Sequence, residues 1–266
     1  MPDSISDMAA YRKWIDGYDC DVRYADLQVG ALVDKLRALG VLDDTLIVIS
    51  SDHGENQGEL AVFGDHQTAD HITNRVPLIV RHPKGLGGRG RVDTGLYYQF
   101  DWAATLLEMV GQKVPESWDG RSFFEAFRKE KSAGREFLVL SNCAWSCQRS
   151  VRWGDYLFIR TYHSGFKNYP ERMLFDVARD PHELNDLAPT RPDLVGHAMT
   201  CLDAWWADEM RRSPRTVDPL WIVMREGGPF HARYTSPAFQ AYVERLKKTG
   251  RAHWAEDLMR RSRELR

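Results

Sequence analysis

The sequence predicts an α/β fold, in which a mostly parallel sheet with flanking helices is followed by a smaller antiparallel sheet with a helix. The runs TLIVIS at 45–50 and VPLIVRH at 76–82 are continuously apolar, without the alternation of half-exposed strands. Such runs are typical of parallel strands that are covered on both faces. Shorter apolar runs separated by turns follow between residues 137 and 177, and these favour an antiparallel sheet.

Helices are predicted around the two apolar runs. Residues 8–39 carry apolar side chains at i, i+3 and i+4 spacing, which predicts an amphipathic helix that ends before Gly40. A polar loop of about 25 residues joins the two runs, and it is much longer than a simple connection requires. Segment 100–111 predicts another helix, which ends at Gly111.

The second half of the chain predicts short strands followed by helices. Strands are expected at 137–141, 150–163 and 173–177, and the middle segment turns as a hairpin at Gly154-Asp155. Amphipathic spacing then predicts a helix over 191–212 and two basic helices over 236–249 and 251–264. The expected domains are therefore an α/β part at 1–130, an antiparallel subdomain at 131–213 and a helical tail at 214–266.

Composition excludes several classes of protein. The 266 residues carry a net charge of −2 with no basic face, which argues against nucleic acid or an anionic membrane as the main partner. No apolar run approaches the roughly 20 residues that span a bilayer, and the N-terminus lacks the regions of a signal peptide. We therefore expect a cytoplasmic protein.

The four cysteines do not have the spacing of a zinc site, because the pair Cys143 and Cys147 has no second pair of ligands. We expect reduced structural thiols. A disulfide between these two residues stays open only for an exported chain.

The polar loop behind the first strand carries the candidate functional residues. Asp52 and His53 stand at the carboxyl end of that strand, the edge at which open α/β sheets bind ligands, and a carboxylate and an imidazole there suit a divalent metal. The alternative is that Asp52 caps the following turn and His53 bonds the backbone. Two further Asp-His pairs, at 65–66 and 70–71, follow within the same loop.

Several stretches of the chain resemble the second half of the conserved core of the sulfatases, in the alkaline phosphatase superfamily. The central one is 44-DTLIVISSDHGENQGE-59, followed by 75-RVPLIVRHP-83. The helix at 18–45, the segment 96–123 and the stretch 173-MLFDVARDPHELNDLA-188 are similar to the family in the same order. The resemblance runs from about residue 11 to 205.

The resemblance implies a metal-dependent hydrolase of sulfate esters, acting on an anionic substrate. Asp52 and His53 match ligands of the divalent cation, which is usually calcium in the family, with manganese or magnesium as alternatives. His66 occupies the position where many sulfatases have a lysine that contacts the transferring group, and we take it as the catalytic candidate. Its alternative is a loop histidine paired with Asp65 or Asp70.

The other polar residues of the loop have simpler interpretations. We expect Asp65, Asp70 and His71 to serve loop packing or solvation, and Glu55 and Glu59 to be solvated. Two rival functions stay open: a phosphodiesterase or phosphonate monoester hydrolase of the same superfamily, and a non-catalytic binding module derived from such an enzyme.

The nucleophile of the family is absent from the sequence. Neither C-x-P-S-R nor S-x-P-S-R occurs, and the paired aspartates that complete the family's metal site are missing with it. We therefore expect a C-terminal portion of a sulfatase that is inactive without its N-terminal half, with exposed apolar surface and weak metal binding. The tail leaves oligomerisation open.

Overall fold

The computed structural model describes residues 5–83, 85–86, 90–129, 131–132, 134–143, 146–165, 167–225 and 237–264. Two compact units interleave along the chain. The first consists of residues 1–51, 77–95 and 99–133, and the second of 52–76, 96–98 and 134–266. The loop that carries the candidate ligands thus belongs to the second unit.

The first unit begins with helix α1, Met8–Ala38. Asp7 caps it, since its side chain accepts hydrogen bonds from the backbone N–H groups of Ala9 and Ala10. The predicted end at Gly40 is confirmed, with φ at +70°. None of its residues is buried, and Leu32 of the apolar stripe is 67% exposed.

The two apolar runs form strands β1, Ile47–Ser50, and β4, Leu78–Arg81. Two short strands of the loop between them, β2, Asn56–Gln57, and β3, Phe63–Asp65, pair with each other. The α/β class is confirmed, but these two strands pair antiparallel, with Val48 opposite Val80, and not parallel as predicted. A parallel partner would need a crossover to the opposite edge, whereas the connection here returns the chain at the edge where β1 ends. The residues of both strands are half-buried or exposed, so the prediction that both faces of these strands are buried is also wrong.

Two more helices complete the first unit: α3, Asp101–Met109, and α4, Phe124–Lys129. The segment between them packs against α3, where buried Asp101 accepts a hydrogen bond from the Arg121 N–H at 2.8 Å. Gly120 packs so closely that an added Cβ would lie 2.8 Å from the Phe100 carbonyl oxygen.

The second unit is built on the predicted antiparallel sheet, which has the strand order β5-β6-β7-β8. The strands are β5, Phe137–Asn142, β6, Cys147–Trp153, β7, Tyr156–His163, and β8, Arg172–Asp176. The hairpin between β6 and β7 turns at Gly154, as predicted, with φ at +44°.

Both faces of this sheet are covered. Val151, Phe158 and Leu174 pack on one face against helix α5, Pro192–Arg212. On the other face, Leu157, Ile159, Met173 and Phe175 form a second cluster, against which Leu60 of the 52–76 loop packs. The sheet is therefore the platform on which that loop lies.

The C-terminal part is helical, with α6, Pro219–Arg225, α7, Pro237–Lys248, and α8, Ala252–Glu264. Buried Asp218, just before α6, accepts two hydrogen bonds from the buried Arg149 guanidinium of β6, at 2.6 and 2.8 Å. None of the helices in the described ranges is long and apolar enough for a membrane span. All four cysteines carry free thiols.

Candidate functional site

Asp52 and His53 lie on an exposed turn directly after β1. The side chain of Asp52 is 89% exposed, and the backbone N–H of His53 donates to it at 3.0 Å. This bond, with smaller effects from the two nearby imidazoles, lowers the pKa of Asp52 below its ordinary value. The turn therefore presents an ionised carboxylate to solvent.

The imidazole of His53 is held in one orientation. Its Nδ1 lies 2.9 Å from the carbonyl oxygen of Gly54, a contact that places the ring proton on Nδ1. In a neutral imidazole with this proton, the lone pair belongs to Nε2. A histidine that donates one ring N–H to a backbone carbonyl has the arrangement common among metal ligands.

His66 is brought against His53 by the fold. The two rings stack with centroids 3.7 Å apart, and the side chains are 40% and 47% exposed. Nδ1 of His66 also lies 3.6 Å from a carboxylate oxygen of Asp65, which itself accepts the His66 N–H at 2.7 Å. The three predicted site residues thus share one exposed rim.

A buried network beneath the rim keeps the two histidines together. The N–H of Gly54 donates to the Thr73 carbonyl at 2.8 Å, and a Cβ at Gly54 would lie only 1.9 Å from the Ile72 carbonyl oxygen. Asn56 bridges Asp70 and Thr73, and it accepts the Thr73 hydroxyl at 2.6 Å. Only glycine fits this close approach of the two backbones.

Asp70 is the N-cap of the short helix α2, His71–Asn74, and accepts the Thr73 N–H at 3.1 Å. It is fully buried, and burial, acting against the hydrogen bonds from Thr73 and Asn56, raises the pKa of Asp70. The prediction that Asp70 serves loop packing matches this position. Burial likewise lowers the pKa of His71 to about 4, with help from Arg152 and Arg75, so that this imidazole is neutral at pH 7.

The expectation that Glu59 is solvated is wrong. The residue is 9% exposed, and its carboxylate bonds Nδ1 of His182 at 2.8 Å and the N–H of Gln57 at 2.7 Å. These bonds outweigh burial and lower the pKa of Glu59. Glu55 is half-buried, so its expected solvation is only partial.

Four side chains hold the backbone of the loop between residues 66 and 71, and they come from strands β5 and β6, from the position just before β6 and from the segment behind β8. Sequence reasoning missed all four, because none of them stands near the loop in the chain. The bonds are Asn142 Nδ2 to His66 O at 2.8 Å, Ser146 Oγ to Gln67 O at 2.7 Å, Ala69 N to Gln148 Oε1 at 3.1 Å, and His71 N to Glu183 Oε1 at 2.6 Å.

The residues that the structure describes do not supply a complete donor set for a divalent metal. Asp52 and His53 supply an ionised oxygen and a ring nitrogen, but no group of three or more His, Cys, Asp or Glu side chains within the described ranges could hold a metal ion. Two donors fall short of the six to eight oxygens that calcium takes. The residues present do not fit a complete metal centre.

Comparison with known proteins finds similarity to sulfatases and to a related hydrolase superfamily. Residues 6–112 match the Sulfatase family model. The chain is 28% identical over 186 residues to an N-acetylglucosamine-6-O-sulfatase of Bacteroides thetaiotaomicron, covering 66% of this chain and 32% of that protein. It is 32% identical over 183 residues to the multifunctional alkaline phosphatase superfamily protein PehA of Trinickia caryophylli, covering 60% of this chain and 33% of that protein. The chain thus spans about one third of the length of these relatives.

Solved structures share the fold. One, of a protein in complex with its substrate D-glucosamine-2-N,6-O-disulfate, aligns with a TM-score of 0.67 at 23% identity, over 79% of this chain and 43% of that one. A phosphonate monoester hydrolase from Silicibacter pomeroyi aligns with a TM-score of 0.57 at 24% identity, over 72% of this chain and 40% of that one. Together with the family match over residues 6–112, these relatives show that the chain is similar to the sulfatases and to a protein of the alkaline phosphatase superfamily.

Proposed function

We propose that this chain supplies one wall of the active site of a sulfatase-type hydrolase, which cleaves sulfate esters. The observation that carries the proposal is the shared rim, where His66 stacks on His53 beside the ionised Asp52. The match of the surrounding sequence to the sulfatase family supports the same function. The substrate class is an anionic sulfate ester.

In this proposal, His66 binds the sulfate group. An imidazole can donate a hydrogen bond to a sulfate oxygen, and as an imidazolium it can give a proton to the leaving oxygen of the ester. The hydrogen bond from Asn142 to the His66 carbonyl fixes the backbone from which this ring projects. The stacked His53 ring restricts the side on which a substrate can approach.

Asp52 and His53 would contribute two ligands to a divalent cation. Calcium is the first choice and magnesium an alternative, because Asp52 offers an oxygen, and manganese is the alternative that the nitrogen of His53 favours. When bound, such an ion would supply positive charge near the ester oxygens. The remaining ligands have to come from another part of the catalytic domain.

We propose that the partner of this chain is the other half of the sulfatase catalytic domain, which would carry the nucleophile. The relatives are about three times as long as the matched part, and the described surface of the first unit exposes apolar side chains that such a partner could bury. Val22 and Leu32 of α1 and Ile79 of β4 are each more than half exposed. Without the C-x-P-S-R motif, the chain by itself would not turn over a sulfate ester.

Sulfate binding tests the role of His66. We expect His66→Ala to weaken the binding of inorganic sulfate to the intact chain by at least about tenfold, since a hydrogen bond to a charged group contributes about 1.5–3 kcal/mol. His66→Lys should retain binding because the lysine ammonium group can also donate hydrogen bonds to sulfate oxygens. Isothermal titration at constant ionic strength provides the measurement.

The matched control is His253→Ala, which removes an exposed histidine from α8 and should leave sulfate affinity unchanged. Equal affinity in wild type and His66→Ala would contradict the assignment of His66. No sulfate binding in the wild type would contradict the proposed anion site as a whole.

A phosphonate monoester hydrolase is the second candidate. It is favoured by the nitrogen donor of His53, which suits metals softer than calcium, and two of the aligned structures are phosphonate monoester hydrolases. The rates at which the full gene product hydrolyses aryl sulfates and phenyl phosphonate esters would separate the two. A larger kcat/KM for the phosphonate ester would reverse the order of the candidates.

A further inference from the structure

Glu183 has an unusual place in the second unit. It belongs to the segment behind β8, it is 4% exposed, and its backbone has a φ of +54°, which a residue other than glycine seldom adopts. One carboxyl oxygen, Oε1, accepts the His71 N–H at 2.6 Å. The other, Oε2, is buried without a hydrogen-bond partner among the described residues. A strained backbone that aims a carboxyl group into the protein is typical of a functional constraint.

The surroundings of Glu183 are mainly acidic. Buried Asp70, at the N-cap of α2, and nearly buried Glu59 face it from the loop, and Asp180 faces it from its own segment. The neighbouring His71 imidazole is neutral, and His182 is engaged by Glu59. Burial first, and then repulsion from Asp70, raise the pKa of Glu183 to about 8.

The bond from Glu183 is connected to the candidate site through a series of hydrogen bonds. It fixes the His71 N–H at the start of α2, whose cap Asp70 is joined to Asn56 and Thr73. The Thr73 carbonyl oxygen in turn accepts a hydrogen bond from the Gly54 N–H. The carbonyl oxygen of Gly54 contacts Nδ1 of the His53 ring. Displacing Glu183 therefore displaces the turn beneath the stacked histidines.

We propose that Glu183 is a positioning residue that clasps the loop at 52–76 and thereby holds His53 and His66 in their stacked arrangement. This inference deepens the proposed function and rests on it for the meaning of the two histidines. The clasp itself stands on the contacts of the buried carboxyl group. Through this residue, the pH would regulate how often the loop at the same site is closed.

The proton on Glu183 determines whether the closed loop gains or loses population as the pH rises. When the loop opens, this carboxyl group becomes solvated and returns to an ordinary pKa near 4.5. Between that value and about 8, the open loop releases a proton that the closed loop retains, so the closed form loses population as pH rises. The loss is up to about tenfold for each pH unit in this window and levels off above it.

Amide hydrogen exchange of the intact chain between pH 5.5 and 9 tests the clasp, after correction for the intrinsic rates. In the wild type, protection of the loop amides at 59–74 should fall with pH and level off near pH 8. Glu183→Gln is neutral at every pH and keeps the acceptor for the His71 N–H. In this variant the loop amides should stay protected, and their protection should fall with pH only by the smaller amount that Asp70 contributes. Glu183→Ala should lose protection of these amides at least tenfold at pH 6.

Glu116→Gln, at an exposed position, is the matched control and should follow the wild type. Wild-type protection in Glu183→Ala would overturn the clasp, and so would a slope in Glu183→Gln equal to that of the wild type. Sulfate titration on the same proteins separates the two proposals. A chain with the expected exchange pattern that fails to bind sulfate would overturn the proposed function and leave the clasp supported.

Discussion

Replacing Asp218 by alanine is expected to lower the free energy of unfolding by about 3–5 kcal/mol, the usual cost of breaking a buried ion pair on one side. Arg149 is 7% exposed, and both of its terminal nitrogens bond Asp218, which also accepts the Trp206 indole N–H at 2.9 Å. Although burial opposes it, these bonds hold the pKa of Asp218 below its ordinary value. The alanine variant would leave a buried guanidinium without its carboxylate. Urea unfolding followed by tryptophan fluorescence measures the change.

Two variants make this prediction specific. Replacing both partners, as in Arg149→Met with Asp218→Leu, should recover much of the loss because no uncompensated charge stays buried. Asp193→Ala removes the carboxylate of an exposed pair with Arg191 and should change stability little. If Asp218→Ala were no more damaging than Asp193→Ala, the burial of the Arg149 pair would be contradicted.

Gly54→Ala is expected to cost at least about 1–3 kcal/mol, the range for overpacking, and to separate the stacked histidines. The new methyl group would lie 1.9 Å from the Ile72 carbonyl oxygen, so one of two backbones has to move. The bond between the Gly54 N–H and the Thr73 carbonyl, now 2.8 Å long, would break with that movement. Urea unfolding and the imidazole NMR signals of His53 and His66 provide the measurements.

Gly196→Ala is the matched control for the glycine prediction. Gly196 lies inside α5, and nothing stands within 4 Å of an added Cβ. Alanine there should stabilise the protein by about 0.5–1 kcal/mol, because glycine is the poorer helix former. Unchanged imidazole signals in Gly54→Ala would show that the turn does not position the histidines.

The secondary structure of this chain could be predicted well from local patterns. The helix at 8–39 and the hairpin at Gly154 appear within a residue or two of the expected places, because amphipathic spacing and turn residues act locally. The direction in which β1 and β4 pair could not be predicted in the same way. Both are continuous apolar runs, and their pairing depends on where the connection between them leads the chain.

The candidate site was predictable only in part. The residues Asp52, His53 and His66 were found because the sequence around them resembles a family, and the structure brings them onto one rim. The groups that support this rim gave no local signal. Glu183 and Gln148 reach the loop from far along the chain, and Glu59 was expected in solvent although it is nearly buried.

The separation of 112 residues between His71 and Glu183 also affects the order of events during synthesis. Ribosomes add about 5–20 residues each second, so the loop would wait about 6–20 s for the carboxyl group that fastens it. During that interval, the aspartates and histidines of the loop are present but not arranged. Any sulfate binding by the nascent chain would begin only after the segment behind the fourth strand of the antiparallel sheet has emerged.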